Sequence, residues 1–150
     1  MQTWTERDFD ALSWHDCHVH GWGLVEVEHG RADLTLDLDF ILAWERPGDG
    51  AFVFVVAPAT LVFFAVFALR FEIDYAGFAV APFSLHGIER ELRVDTADHR
   101  EHSYRLEINS PRGLISFAGD RFRQTLRAAP IRTADQWLEP GQRAALFRGE

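Results

Sequence analysis

Residues 18–44 read HVHGWGLVEVEHGRADLTLDLDFILAW, and this stretch decides the fold. Apolar and polar side chains alternate on both sides of His29-Gly30, which is the pattern of two strands with different faces. A two-residue loop with glycine in second place is typical of a tight β-hairpin. The sequence therefore predicts an antiparallel hairpin in which Glu28 lies opposite Arg31.

Pairing Glu28 with Arg31 gives the predicted hairpin two faces of opposite character. One face carries histidine, tryptophan and carboxylate side chains. A slip of one residue would mix this face with the apolar one, so the separation of side chains supports the register. The predicted apolar face contains Val19, Gly21, Gly23, Val25 and Val27 beside Ala32, Leu34, Leu36, Leu38 and Phe40.

The polar face of the predicted hairpin gathers possible metal ligands. In this register His20 lies opposite Asp39, His18 and Asp37 are diagonal to that pair, and Asp16 joins them if the strand extends backward. Two imidazoles and a carboxylate can bind a divalent metal, and an open coordination position could activate water. The sequence thus predicts a metal site at His18, His20 and Asp39, with Asp16 and Asp37 as neighbours. The alternative is an ordinary cross-strand His–Asp pair on a solvated face, which is the commoner arrangement.

Motifs of the common catalytic classes are missing from the sequence. It contains no Gly-x-Ser-x-Gly elbow, phosphate-binding loop or dinucleotide fingerprint. Cys17 would lie on the opposite face of the strand from His18 and His20, which argues against a Cys–His nucleophile pair. The sequence therefore predicts no catalytic residues and no organic cofactor, and leaves a divalent metal open.

Residues 51–69, AFVFVVAPATLVFFAVFAL, carry no charge over a length that could cross a membrane as a helix. Phenylalanine and valine dominate the run, and strict alternation follows it as far as Tyr75, so buried strands are favoured over a membrane span. Pro58 is expected to end a first strand at 51–57. Residues 61–66 and 68–75 follow, either as two strands or as one bent strand. Part of the run could also form a dimer interface.

The remaining patterns predict a β-rich protein with helical ends. A short helix is expected at 5–12 with Thr5 as its cap, then strands at 88–95, 102–109 and 114–118 after a loop at 76–87. Further helices are expected between Phe122 and Pro130 and from a capping box at 133–136. The sequence predicts one mainly β (β-rich α+β) domain over residues 1–150, an antiparallel sandwich or open barrel with short terminal helices.

The charge composition restricts the possible partners. The chain has a net charge of −8, and its fifteen basic residues are all arginine. An acidic chain without a basic stripe argues against nucleic acid and anionic membranes, and the lack of lysine excludes Schiff-base catalysis. One cysteine and an N-terminus without an apolar signal core favour a reducing cytoplasm.

Four stretches carry a resemblance that spans most of the chain. They are WHDCHVHG (14–21), LTLDLDFILAW (34–44), APATLVF with LRFEI after it (57–63 and 69–73), and FRQTLRAAPIRTADQWLEPGQR (122–143). The chain resembles a family of small bacterial proteins without an assigned function. The resemblance implies a stand-alone soluble bacterial domain and supplies no catalytic residues. Residues 63–68 are more apolar than that family's pattern, which predicts an adhesive surface or dimer contact there.

Three functions are compatible with these observations. The favoured one is a non-enzymatic binding or interaction module, immunity-like or regulatory, that has a protein partner or forms a homodimer, because acidic proteins can complement basic partners. The second is a small-molecule binder with a cavity lined by phenylalanine and tryptophan. The third is a metal-binding protein or enzyme that uses the His18, His20 and Asp39 site.

Overall fold

In the computed structural model, which describes residues 1–148, nine strands and two short helices follow one another along the chain. The prediction of a mainly β antiparallel protein is confirmed, since strands make up 61% of the described residues. The strands are β1 (Thr3–Thr5), β2 (His18–Glu28), β3 (Arg31–Glu45), β4 (Val53–Ile73), β5 (Phe83–Asp95), β6 (Arg100–Ser110), β7 (Arg112–Gly119), β8 (Phe122–Leu126) and β9 (Ile131–Thr133). A 3-10 helix spans Glu6–Ala11, and helix α1 spans Pro140–Arg148.

Six strands close into a barrel in the order β2-β3-β4-β7-β6-β5. Closure depends on a short pairing of β2 with β5, in which His18 lies opposite Ser84 and Val19 opposite Phe83. The other strands extend the outside: β8 and β9 pair with β4, and β1 pairs with β8. The prediction left a sandwich or an open barrel as alternatives, and the structure is a closed barrel with added strands.

Side chains fill the interior of this barrel. Phe63 lies at the centre, with its ring centroid 4.9 Å from that of Tyr104 and 4.8 Å from that of Phe117. A six-stranded barrel is narrower than the eight-stranded barrels whose interiors are just filled by side chains, so close packing is expected here. The fully buried residues around Phe63 include Leu34, Leu36, Leu38, Leu61, Leu85, Leu106 and Ile115.

From Val53 onward, the uncharged run at 51–69 is part of β4, a single strand of 21 residues. It pairs with β3 along one edge and with β9, β8 and β7 in turn along the other. The run is continuously apolar because a strand that is covered on both faces has no solvated side. The predicted turn at Pro58 is wrong. Pro58 stays in the ladder opposite Asp39, and its carbonyl accepts a hydrogen bond of 2.8 Å from the Arg127 backbone N–H. Among the helices of residues 1–148, none has the length and apolarity to cross a membrane.

The hairpin forms at the predicted turn, but its register changes along the strands. Glu28 lies opposite Arg31 as predicted. A bulge before this pair brings Leu24 opposite Leu34, and a second shift brings His18, rather than His20, opposite Asp39. Each bulge adds one residue to β2 and so changes which side chains face the core. The alternation of apolar and polar residues in the sequence continues through both bulges, so this pattern could not reveal them.

The first bulge changes which valines of β2 are buried. Val19 is 1% exposed, whereas Val25 and Val27 are 63% and 51% exposed. Trp22 and Leu24 instead take the face of Leu36 and Leu34. The predicted apolar face is therefore wrong for the half of β2 nearest the turn.

Three other predicted elements differ from the structure. The helix expected after Phe122 is β8, because Gln124 is buried between Phe122 and Leu126 and its Oε1 accepts a 2.8 Å bond from Trp14 Nε1. The helix expected at 133–136 begins only at Pro140. β5 begins at Phe83, five residues before the predicted start.

Two matched substitutions on β2 test the observed register. We expect Val19→Ala to lower the free energy of unfolding by about 2 kcal/mol, because it removes buried methyl groups and leaves a cavity. Val25→Ala should cost about 0.5 kcal/mol, because that side chain is mostly solvated and only β-propensity is lost. Urea unfolding measures both, and equal losses would contradict the register.

Candidate functional site

The chain after β9 packs over the polar face of the β2–β3 hairpin, and the Asp39 carboxylate lies at the centre of this contact. Asp39 is completely buried. Its Oδ1 accepts from the guanidinium of Arg143, and its Oδ2 accepts from the backbone N–H of Leu138 at 2.9 Å. His20 Nε2 lies 2.7 Å from the same Oδ2 and is the donor, because a carboxylate only accepts. Three groups from two distant parts of the chain therefore satisfy one buried charge.

Arg143 connects this carboxylate to a second one. Its side chain is 8% exposed, and its other terminal nitrogen lies 2.5 Å from Asp37 Oδ1. Asp37 is half exposed, so its pairing with Arg143 is partly screened by water. The buried half of the network, Arg143 with Asp39, holds α1 against the barrel.

His18 and Asp16 form the next layer of the contact. The ring of His18 packs on Trp137 with centroids 4.9 Å apart, and its Nδ1 lies 3.3 Å from the Asp16 carbonyl oxygen. Burial lowers the pKa of His18, which favours the neutral imidazole. The Asp16 carboxylate accepts from Asn109 Nδ2 and Gln136 Nε2, each at 2.9 Å.

The structure thus brings His20, Asp39 and Asp37 together, with His18 and Asp16 beside them, although His18 rather than His20 lies opposite Asp39 in the strand pairing. The added feature is Arg143, which lies more than a hundred residues away in sequence and occupies an Asp39 oxygen. A metal ion bound to Asp39 would have to replace one of its present donors. The metal site at His18, His20 and Asp39 stays a prediction, and the geometry favours an alternative role in holding the C-terminal segment.

Removal of the buried charge tests this alternative role. We expect Asp39→Asn to lower the free energy of unfolding by about 3 kcal/mol, because Arg143 would be left buried without its charged partner. Asp37→Asn is the matched control, and we expect a loss of about 0.5 kcal/mol at this half-exposed position. Urea unfolding and hydrogen exchange of α1 measure the two effects, and comparable losses would contradict the assignment.

Elemental analysis tests the metal prediction independently. Protein soaked in zinc or manganese and then desalted would hold one equivalent if His18, His20 and Asp39 bind the ion, and His18→Ala with His20→Ala would abolish it. Less than about a tenth of an equivalent before and after soaking would exclude the site.

Cys17 and Trp14 both lie in the core. Cys17 is fully buried, and this burial raises the pKa of its thiol to about 12. A thiol with such a pKa is almost entirely protonated at neutral pH and is a poor nucleophile. Trp14 is 3% exposed and packs on Phe9 and Phe122. Neither residue has the setting of a reactive or ligand-binding group.

A second site, on the outside of the barrel, is formed by arginines that the sequence patterns did not single out. A cleft of about 580 Å³ has five arginines and one carboxylate, Glu6, in its wall, so its formal charge is strongly positive in a chain of net charge −8. The arginines come from the first turn of the 3-10 helix, from β5, from the start of β6 and from the start of β8. They are Arg7, Arg90, Arg100, Arg121 and Arg123. We call this feature the arginine cleft.

Phe64 on β4 organises one wall of the arginine cleft. The guanidinium carbons of Arg121 and Arg123 lie 5.2 Å and 5.4 Å from the centroid of its ring. Cation–π contacts of this kind orient the guanidinium without consuming its hydrogen-bond donors. Both groups therefore keep donors available to the cleft.

The ionic partners of the five arginines differ. Arg90 is paired with Glu6 at 2.5 Å and stacks on Phe9, and Arg100 is paired with the exposed Asp95 at 3.4 Å. Within residues 1–148, Arg7, Arg121 and Arg123 form no ion pair with a carboxylate. Three uncompensated guanidinium groups therefore border one cleft.

A neighbouring cleft of about 600 Å³ shares Glu6, Phe64, Arg100 and Arg121 with the arginine cleft and adds histidines and carboxylates. His102 lies in its wall, and desolvation, followed by the nearby Arg90 charge, lowers the pKa of its imidazole. This cleft is of mixed charge, which distinguishes it from the arginine cleft.

His99 and Asp120 border this mixed cleft. Together with the buried Glu101 they could hold a metal, since the ligand atoms of the three residues lie within 4.8 Å of one another. Arg31 already lies 3.6 Å from Glu101 and 3.5 Å from Asp120, and Arg93 lies 3.7 Å from Glu101. The arginine guanidinium groups therefore already neutralise these two carboxylates. The residues form an ion-pair network that connects the β2–β3 turn with the β5–β6 turn.

Only a weak signal for the arginine cleft exists in the sequence. Arg121, directly before β8, and Arg123, within it, are two residues apart, and such spacing places two side chains on one face of extended chain. Arg7, Arg90 and Arg100 lie far away in sequence and reach the cleft through the barrel's closure. The net charge of −8 conceals this local excess of positive charge.

Comparison with known proteins gave no relative: no family model, no curated protein and no solved structure matches this chain.

Proposed function

We propose that the protein is a non-enzymatic binding module whose ligand is a small polyanion held in the arginine cleft. The observation that carries the proposal is the convergence on one cleft of Arg7, Arg121 and Arg123, which have no carboxylate partner among residues 1–148. Like charges repel one another, so such an arrangement is unfavourable without an anion to neutralise it. A bound anion would offset that repulsion.

The chemistry of the guanidinium group indicates the class of ligand. Its planar fork binds two oxygens of a phosphate or carboxylate at once, and these charge-assisted hydrogen bonds are among the stronger ones in proteins. Several forks around a volume of about 580 Å³ suit a ligand with two or more anionic groups, such as a polyphosphate or a polycarboxylate. A long nucleic-acid strand suits it less, because the rest of this acidic surface would repel one.

The close-packed interior supports an external site. Phe63, Tyr104 and Phe117 occupy the centre of the barrel, where the cavity of a small-molecule binder was expected. The arginine cleft lies between the N-terminal 3-10 helix and the barrel wall. We favour a binding module over an enzyme because the arginine cleft offers positive charge and hydrogen-bond donors, which hold an anion. The buried Cys17 thiol is protonated and is therefore a poor nucleophile. A reducing cytoplasm, in which this thiol would persist, remains our proposed location.

Calorimetric titration with pyrophosphate and with citrate tests the proposed function and separates phosphate from carboxylate ligands. We expect one of them to bind in the micromolar to millimolar range at low salt, with an affinity that falls as the ionic strength rises. The double substitution Arg121→Gln with Arg123→Gln should weaken binding by about 10- to 100-fold, because each charge-assisted bond contributes about 1.5 kcal/mol or more.

Arg105→Gln is the matched control for that titration. Arg105 is exposed on β6, away from the arginine cleft, and its substitution removes one positive charge, as each of the two substitutions in the cleft does. The affinity of the Arg105→Gln variant for the anion should stay within about twofold of that of the unsubstituted protein, because water and salt screen a distant exposed charge. Absence of binding by both anions, or equal weakening by Arg105→Gln, would overturn the proposal.

A further inference from the structure

The arginine cleft adjoins the cleft of about 600 Å³ that contains His102, which we call the mixed cleft, since four residues line both of them. Apart from the shared residues and the histidines, the charged side chains of the arginine cleft are all arginine, and those of the mixed cleft are all aspartate. The aspartates are Asp33, Asp98 and Asp120. Positive charge in one cleft therefore lies beside carboxylates in the other.

Two of these three aspartates have no cationic partner. Asp33 Oδ1 accepts a 3.0 Å hydrogen bond from the backbone N–H of Ala65, and Asp98 is exposed. Within residues 1–148 neither carboxylate forms an ion pair, whereas Asp120 lies 3.5 Å from Arg31. The mixed cleft thus keeps negative charge that the fold does not neutralise, just as the arginine cleft keeps positive charge.

His102 is independent evidence that the mixed cleft receives a ligand. This residue lies in the wall of the cleft and is 6% exposed, and its Nδ1 has no hydrogen-bond partner among residues 1–148. Desolvation is the main cause that lowers the pKa of its imidazole, and a backbone hydrogen bond with Asp120 opposes part of this effect. The ring is therefore neutral at pH 7, and a neutral imidazole has one nitrogen that accepts a hydrogen bond. A buried polar atom without a partner is unusual in a folded protein, and a ligand N–H group would supply that partner.

We infer that the anionic ligand of the arginine cleft also carries an ammonium group, which the carboxylates of Asp33 and Asp98 bind in the mixed cleft. The inference rests on the proposed function, because it assigns a second end to the same ligand. Such a zwitterion gives each uncompensated charge of the two clefts an opposite charge. An ammonium group has three N–H donors, so it can serve both carboxylates and the His102 imidazole.

An organic cation suits the mixed cleft better than a metal ion does. Among residues 1–148, no group of three ligand atoms within 4.8 Å of one another includes Asp33 or Asp98. The wall that the two clefts share contains Phe64, and Val27 and Ala65 add apolar surface in the mixed cleft. A short alkyl chain between the anionic groups and the amine would lie against this surface. The ligand class is therefore an amine-bearing phosphate or carboxylate.

Diphosphates that differ only in a terminal amine test this inference. The probes are aminopropyl and aminohexyl diphosphate, each compared with the alkyl diphosphate of the same length, and two lengths are used because the chain must reach from one cleft to the other. In calorimetric titrations at low salt, we expect at least one amine to bind about tenfold more tightly than its alkyl counterpart, because its ammonium group forms charge-assisted hydrogen bonds with the carboxylates.

The double substitution Asp33→Asn with Asp98→Asn should abolish that tenfold gain. The affinity for the alkyl diphosphate should stay the same or rise, because the substitution removes negative charge near a bound anion. A folding defect would weaken the binding of both probes, so this pattern separates a lost contact from a lost fold. Asp49→Asn with Asp74→Asn is the matched control and should keep the gain. Both residues are exposed and lie outside the two clefts, and Asp74, like Asp33, accepts a backbone N–H bond.

The outcomes distinguish this inference from the proposed function. Binding of the alkyl diphosphates without any gain from the amine would overturn the inference and leave the proposed function standing. A gain that survives Asp33→Asn with Asp98→Asn, or that the control variant loses equally, would also overturn it. Failure of every diphosphate to bind, together with pyrophosphate and citrate, would overturn the proposed function and the inference with it.

Discussion

The packing of the C-terminal segment against the β2–β3 hairpin depends on the buried Asp39 carboxylate and the donors that bind it. A carboxylate removed from water is destabilising unless its oxygens are occupied by donors, and here Arg143, His20 and the Leu138 N–H occupy them. These donors come from α1, from β2 and from the chain before α1. The charge therefore selects one position for a segment whose helix has little apolar face of its own.

Arginine side chains have two different roles in this structure: some pair with carboxylates of the fold, and others pack on an aromatic ring beside the cleft. Arg143 and Arg31 lie against carboxylates and neutralise charge within the fold. Arg121 and Arg123 lie against an aromatic ring, and no carboxylate of residues 1–148 occupies their donors. A guanidinium group packs on a ring without losing its hydrogen-bonding capacity, so the second pair is suited to a ligand and the first to structure. The net charge of the chain reports neither use.

Barrel closure determines which parts of β2 are protected. At His18 and Val19 the strand pairs on both sides, and Val19 is buried. Beyond the bulge at His20, the strong tilt that closes a six-stranded barrel carries β2 past the start of β5, so only β3 remains as a neighbour. The same geometry that seals the core thus leaves one edge of β2 unpaired, with apolar side chains near its middle and the exposed Glu26 and Glu28 near the turn.

The sequence by itself determined the mainly β fold, the turn at His29-Gly30 and the strand character of the uncharged run. These follow from residue alternation and turn chemistry, which act over a few positions. The tertiary structure decided the bulges of β2, the passage of β4 through Pro58 and the strand at Phe122, because pairing partners on both sides override local preference. It also decided the partnership of Asp39 with Arg143 and the gathering of five arginines in one cleft. Those contacts join residues from distant parts of the chain, and only the closed barrel brings them within reach of one another.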